Sequence, residues 1–423
     1  MIKFSRKTRV IGCNLFLKKK TQLIYLSLLV SLSLCAFFQC IAVAISNLFQ
    51  VLASVFFLLY VLAQPRKVLE RIKKFKIFLY AYLLFILSFL PSVFANPNLK
   101  ESFGIWFSLI VLRPFLGFIV LLSVEKKDTY ILIGSLLLSF LIDSVYAIID
   151  GGKANYGYRL NGFYGHPMIY AGFACVSMPI FFLGLLLSSF SKLFKFSVLL
   201  IFLFCGYVVL LNGTRGAWLA LLICFSLALL VYIRNISIPV LLAILGSLLL
   251  VFSLSTHNTI SSRVSSLTDA GISTNSERIR LWKSSFAMFK DHPVTGVGMG
   301  VFKDAYPKKY IHKDSKEPNL TRAHSNFFQI LGENGSTGLT GFFLFFGYLL
   351  IWSLIKFIKT REDTYFMAFL STLGLMLQGL TEFNLAHSNV MKYFWLMFGS
   401  LMVSEPFWRI GNLSILSDRK SAP

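Results

Sequence analysis

Charge is scarce in this chain: 14% of its 423 residues are Asp, Glu, Lys or Arg, where a soluble domain carries about 25%. Hydrophobic residues make up 56% and stand in long blocks, which excludes a water-soluble globular fold. Cysteine is sparse too. The six (13, 35, 40, 175, 205 and 224) lie in apolar blocks or the basic N-terminal tail, and no Cys/His spacing suggests zinc. They read as packing residues. There is no P-loop, no GxGxxG and no HExxH, and no acidic-x-acidic triplet that could hold a divalent ion on a nucleotide-linked substrate. Heptads, low-complexity tracts and short repeats are missing as well. No small-residue cleavage site follows the first apolar run, so a cleavable signal peptide is not expected.

What remains is a chain of apolar blocks. About 17–25 apolar residues suffice to cross about 30 Å of hydrocarbon as helix. Twelve spans are expected, at 22–45, 48–63, 77–95, 103–123, 129–148, 168–189, 196–212, 216–233, 237–256, 338–356, 364–381 and 389–405. The fold class is therefore all-α, a polytopic membrane protein.

The net charge of +23 would suggest nucleic acid in a soluble protein. Here it is first a topology signal. With the N-terminus in the cytoplasm, the cytoplasmic segments hold 24 of the 41 Lys+Arg, and the short outer loops hold only Lys100, Lys153, Arg159 and Arg215. The long segment 257–337 carries 11 more, but long loops translocate largely regardless of charge. Both termini are expected in the cytoplasm, and no nucleic-acid partner is needed. All six histidines (166, 257, 292, 312, 324 and 387) then fall on the outer side or its interface.

The chain divides accordingly into N-terminal membrane helices (1–256), an outer helical loop (257–337) and C-terminal membrane helices with a cytoplasmic tail (338–423). In the loop, Ser276-Glu277-Arg278 followed by Leu281, Trp282, Phe286 and Phe289 predicts a helix, which Asp291-His292-Pro293 stops. Gly296, Gly298 and Gly300 predict a flexible turn, and Ser325 to Leu331 another short helix.

Four outward constellations could carry chemistry. Asn212-Gly213-Thr214-Arg215-Gly216 opens a span with an arginine, which either snorkels as an interfacial anchor or meets an anion. Arg278 and Trp282 share a helix face at i, i+4 while Arg280 points elsewhere; a solvated face is the plain alternative. Thr321-Arg322-Ala323-His324-Ser325-Asn326, followed by Glu333, sets a histidine near the membrane face, able to accept a hydroxyl proton or simply structural. Arg159 to Pro167, with Tyr164 and His166, offers an aromatic surface for carbohydrate or an interfacial belt. Outer-loop acids (Asp269, Glu277, Asp291, Asp304, Asp314, Glu317) are scattered singly, so paired-carboxylate hydrolysis is not indicated. Arginines plus one histidine suit a phosphate-bearing substrate and an acceptor hydroxyl, without a metal.

Taken in order, Arg215, Ser276-Glu277-Arg278-Ile279-Arg280-Leu281-Trp282, Pro293, Gly296-Val297-Gly298-Met299-Gly300-Val301-Phe302 and Ala323-His324-Ser325-Asn326 through Glu333-Asn334-Gly335, with Gly338-Leu339 beyond, resemble the O-antigen ligase and Wzy-type polymerase superfamily. The likeness covers about 200–355, with a looser one at Arg159–Pro167. It implies a GT-C-type glycosyltransferase of the bacterial inner membrane with its active site facing the periplasm. The implied donor is a glycan on undecaprenyl diphosphate and the implied acceptor a lipid A–core sugar hydroxyl, with inverting transfer and neither metal nor other cofactor. By the same resemblance Arg215 and Arg278 match the arginines that hold the diphosphate, and His324 the histidine that activates the acceptor. Arg280, Arg159, His166, Arg322 and Glu333 are further candidate substrate contacts, with Glu333 in an orienting role.

Wzy polymerases often carry an arginine followed eleven residues later by glycine in their outer loops, and none of the outer arginines here is so followed. That favours a ligase over a polymerase. A protein O-oligosaccharyltransferase would share the motifs with a serine or threonine acceptor. A twelve-span secondary transporter is the rival from another class, but it would place polar groups near the midplane, where few stand, Arg113 and Asp143 being the main candidates. A structural scaffold would leave the outer arginines and histidine unused.

Overall fold

The computed structural model describes residues 6–151, 159–187, 190–233 and 273–404. Among the described residues there is no strand, and nine helical segments are long and apolar enough to cross a membrane. The protein is an all-α polytopic membrane protein. Helices α1 (Arg6–Phe37) and α2 (Val43–Ala63) form a hairpin, followed by the short basic helix α3 (Pro65–Lys74), which buries only Val68. Helices α4 (Lys76–Ser88) and α5 (Leu90–Ala95) make the next crossing. Helix α6 (Leu99–Trp106) passes through a π-helical stretch at Phe107–Leu112 into α7 (Arg113–Ser123). Tyr82 OH donates to the carbonyls of Ile110 and Val111 in that stretch, 2.9 Å each.

Helices α8 (Thr129–Asp150), α9 (Pro167–Leu186), α10 (Lys192–Asn212) and α11 (Arg215–Tyr232) follow. Then come α12 (Ser273–Asp291), the single turn α13 (Phe302–Ala305), α14 (Asn326–Thr360), α15 (Asp363–Gln378) and α16 (Ser388–Val403). Helix α9 is the innermost, packed against α10, α11, α15 and α16. Close approach there requires small residues, as is usual where lipid supplies no hydrophobic drive between helices. A Cβ on Gly374 of α15 would lie 2.5 Å from Cys175 O of α9.

Eleven of the twelve expected spans coincide with helices, α15 and α16 being shorter at 16 residues each. The ninth, 237–256, lies outside the described residues. One boundary is corrected. The first helix ends at Phe37 rather than at 45, because Gln39 turns its polar side chain into the bundle. Its Nε2 donates to Asn389 O at 3.1 Å, and its Oε1 accepts from Ser46 OH at 2.6 Å.

The joins expected on the outer side gather at one end of the bundle. Tyr164 OH donates to Gln39 O (2.9 Å), Asn96 Nδ2 to Met299 O (2.7 Å), Arg159 Nε to Asn212 O (2.8 Å) and Asn326 N–H to Gly379 O (2.8 Å). The joins expected inside meet at the other end. There Tyr25 OH donates to Asp128, Arg71 to Val124 O, and Tyr232 OH to Asp363. The alternation inferred from the charge pattern is thus the alternation of the fold.

At the first end, Leu281, Met288, Phe302, Tyr306, Tyr310 and Ala323 form a small core of their own under α12. The glycine turn at 296–300 is fixed rather than flexible, a correction to the sequence expectation. All three glycines take positive φ (64°, 108° and 84°), and Val297 and Gly298 N–H donate to the carbonyls of Gly332 and Glu333. The short helix expected at Ser325–Leu331 is the first part of α14, set off from the apolar remainder by a non-helical break at Gly335 (φ 61°, ψ −156°).

Candidate functional site

Helix α10 ends in left-handed Gly213 (φ 67°), and α11 begins two residues later with Arg215. Asn212 ties this turn to the preceding loop, its Nδ2 donating to Leu160 O (2.7 Å) and Pro167 O (3.1 Å). Thr214 OH donates to Asn212 Oδ1, and Arg159 Nη2 donates to Thr214 Oγ1 at 2.8 Å. A cation in the first turn of a helix opposes the helix dipole, so the turn holds Arg215 at a position with an intrinsic electrostatic cost. Arg215 Nη2 donates to Asn275 Oδ1 on α12 at 2.7 Å, and Asn275 stands one turn before Arg278.

Helix α12 brings Arg278 and Trp282 to one face. Trp282 stacks on Phe328 of α14 (centroids 4.8 Å apart, 11° between planes), and its Nε1 donates to Ala323 O at 3.1 Å. Ala323 N–H in turn donates to Gln329 Oε1 at 2.7 Å. Just beyond, Ser325 caps α14 and Asn326 bonds to Asn384 Oδ1 (2.7 Å) and Leu385 N–H (3.2 Å). Between these anchored neighbours His324 is held in left-handed backbone (φ 49°) with its side chain 38% exposed. The Arg-x-x-x-Trp spacing acquires a physical meaning here: the indole fixes the backbone beside the histidine while the guanidinium reaches the same region.

The residue at which they meet is Glu382, in the join between α15 and α16. Its carboxylate is buried, with Oε2 3.5 Å from His324 Nδ1 and Oε1 3.6 Å from His387 Nε2. Both are ion-pair rather than hydrogen-bond distances. Burial pushes the Glu382 carboxyl up, but the two imidazoles beside it outweigh burial and hold it well below the usual carboxylate range. Burial lowers the Arg278 pKa, and the Glu382 charge pulls it back up, so these two groups also face one another. The Arg215 turn closes on the same place, since a Cβ on Gly216 would lie 2.1 Å from Thr381 Oγ1.

His166 completes the cluster. It caps α9, with Nδ1 accepting from Met168 N–H at 3.3 Å, and its ring lies 5.5 Å from that of His387. Burial lowers its pKa, as do the charges of His387, Arg159 and His324, against a raising pull from Glu382. The loop that carries it is anchored from below, where Asp143 Oδ1 accepts from Phe163 N–H at 2.8 Å.

Arg215, Arg278, His324, Arg159 and His166 are therefore neighbours in the fold. Arg280 is turned aside into an ion pair with Glu277, whose carboxylate also accepts from Ser315 OH (2.8 Å) and Lys316 N–H (3.0 Å). Glu333 accepts from Phe302 N–H at 2.9 Å and so fastens the glycine turn. Arg322 lines a separate cavity that Glu333 also borders. Sequence reasoning missed Glu382 and His387 as site residues. The signal available was one acid and one histidine in the short join Thr381-Glu382-Phe383-Asn384-Leu385-Ala386-His387, with no spacing that singles them out.

Chemically the cluster offers three guanidinium groups (Arg159, Arg215 and Arg278), three imidazoles and one buried carboxylate. That combination can bind a polyanion and move a proton. Residues 198–343 match the family model described as O-antigen ligase. The match spans Arg215, Arg278 and His324, while Glu382, His387 and His166 lie outside it. No curated protein matches the chain.

Proposed function

We propose, from the match of residues 198–343 to the O-antigen ligase family model, that the chain is an inverting membrane glycosyltransferase of GT-C type. It moves a glycan from undecaprenyl diphosphate to a sugar hydroxyl of the lipid A–core. The observation that carries this reading is the meeting of Arg278, His324 and the Arg215 turn around Glu382.

His324 is the base. Glu382 faces its Nδ1, which leaves Nε2 free to take the proton of the acceptor hydroxyl. The acceptor oxygen then bonds to the anomeric carbon from the side opposite the diphosphate. The glycosidic C–O bond breaks, and its electron pair leaves on the diphosphate. Charge grows there as the bond breaks, so Arg215 and Arg278 act where the transition state differs most from the bound donor. Each guanidinium contributes about 2–4 kcal/mol by analogy with oxyanion donors. Arginine suits the task better than lysine because its fork meets two phosphate oxygens at once. The fork also serves where other transferases use a divalent ion. Arg159 holds the turn that carries Arg215, and the His166 and His387 rings extend the polar wall of the site.

The site opens on the periplasmic side of the inner membrane in this reading. Support comes from the Lys/Arg bias, heaviest in joins at the end of the bundle away from the cluster. Membrane helices 1–256 and 338–423 then frame a periplasmic segment, 257–337.

The test is transfer in proteoliposomes that hold the purified chain, lipid-linked donor and lipid A–core. Glycan should move to the core, and EDTA should leave the rate unchanged. A mutant strain lacking the protein should accumulate core without polymer. Lengthening of the lipid-linked glycan itself would mark a polymerase instead, and glycan on protein serine or threonine an O-oligosaccharyltransferase.

A further inference from the structure

A cavity of about 830 Å³ shares two walls with the imidazole cluster. Thr321 and Arg322 border it three and two residues before His324, and Phe383, Leu385 and Ala386 border it between Glu382 and His387. Its size is that of a ligand site for a small oligosaccharide. Cations dominate its lining. Lys303 is neutralised by Glu101 at 2.6 Å, and the Glu333 carboxylate is engaged by Phe302 N–H. Lys100, Arg113 and Arg322 are left against the one carboxylate of Glu333, whose charge acts on Arg322, while the cation beside Arg113 is Arg322.

Arg113 is the informative one. It is the first residue of α7, directly after the π-helical stretch, and only 9% exposed. Its Nη1 donates to Leu385 O, while its buried Nε has no hydrogen-bond partner among the described residues. A guanidinium inside an apolar bundle is costly unless an anion or carbonyl group answers it, and a second cation beside it adds to that cost. The π-helical stretch in front of it is a backbone irregularity of the kind that recurs at functional sites. The amides of Gln329 and Asn334 also line it, the first accepting from Ala323 N–H through Oε1 and the second donating to Ser92 Oγ through Nδ2.

We propose that this cavity is the acceptor subsite and binds a sugar bearing an anionic substituent, phosphate or carboxylate, between Arg113 and Arg322. The word acceptor rests on the glycosyl-transfer reading above; the anion site does not. Donor and acceptor then approach His324 from different sides, the diphosphate along Arg215 and Arg278 and the acceptor along Arg322.

The experiment is equilibrium binding of glucose 6-phosphate, glucuronate and glucose to the full chain in nanodiscs. At least one anionic sugar should bind tenfold or more tighter than glucose, and the stronger of the two identifies the substituent. Arg322→Gln, at an exposed position, should remove that preference, as should Arg113→Gln wherever it folds. Lys308→Gln, exposed and outside both sites, should leave it within twofold. Equal binding of glucose, or a preference lost in Lys308→Gln and kept in Arg322→Gln, overturns the proposal. Transfer assays separate the two readings. Anionic-sugar binding without any glycan transfer sinks the transferase and leaves the anion site standing. Transfer with an acceptor KM indifferent to Arg322→Gln sinks the acceptor subsite alone.

Discussion

His324 Nδ1 lies 3.5 Å from Glu382 Oε2, and the histidine reaches it from left-handed backbone. A non-glycine residue in that region costs about 1–3 kcal/mol and persists only where its surroundings over-determine it. Here Trp282, Gln329 and Asn326 do so. If the strain serves to aim the imidazole, His324→Ala should lower kcat by about 10²–10⁴-fold, the usual worth of a general base, with donor binding kept. Glu382→Gln should lower kcat less and displace the limb of the pH–rate profile that reports the base. Rates measured from pH 5.5 to 9 decide it. An unchanged profile in Glu382→Gln would reduce the carboxylate to packing.

Arg215 and Arg278 stand on different helices but are linked through Asn275, one turn from Arg278. Acting on one diphosphate, they should be non-additive. Either Arg→Ala change should cost about 10²–10³-fold in kcat, as for single oxyanion donors, and the double variant less than the product. Arg→Lys should recover part of each loss because charge survives while the fork does not. Full recovery by lysine would mean that charge alone matters.

The helices were legible because a bilayer imposes a length and a composition that any apolar block reveals. Three residues of the candidate cluster stood out for a different reason: Arg215, Arg278 and His324 sit in short motifs with fixed spacing. Glu382 did not, since a single acid in a seven-residue join has neither periodicity nor partner until α15 and α16 bring it beneath His324. Boundaries failed where polar atoms were satisfied through space, as with Gln39 and Asn389. The glycine turn read as flexible because sequence cannot register that Gly332 and Glu333 clamp it.

Glu382 also sets a pH dependence of stability. Its carboxyl is held well below its ordinary value, about 4.5. The unfolded chain therefore binds the extra proton first, and the stabilisation is fully present above about pH 4.5 and lost as pH falls toward the folded value. In detergent, wild type should melt above Glu382→Gln at pH 7, with the gap narrowing between pH 5 and 3. A gap that widened on acidification would contradict the low carboxyl pKa.

Sidedness can be read with thiols. The five described cysteines are buried, so in a Cys13→Ser background an impermeant maleimide should react little with the protein. Lys313→Cys and Lys67→Cys place exposed thiols at opposite ends of the bundle. In cells with a permeabilised outer membrane only the first should label before the inner membrane is broken. Labelling in the reverse order would turn the histidine cluster to the cytoplasm and remove the lipid-linked donor from its reach.

Trp282 distinguishes contact from positioning. Its indole makes no ion pair with substrate in the proposed mechanism; it holds Ala323 O at 3.1 Å and stacks on Phe328. Trp282→Phe keeps an aromatic face and removes the N–H, a loss of about 1 kcal/mol for an ordinary hydrogen bond. Melting should therefore fall only slightly. If that hydrogen bond is what fixes the His324 backbone, kcat should fall by more than stability does, with donor KM nearly unchanged. Trp282→Leu, which also loses the stacking, should cost both. A Phe variant with full turnover would show that the left-handed histidine is held by Asn326 and Gln329 alone, and the aromatic four residues after Arg278 would then matter only for packing.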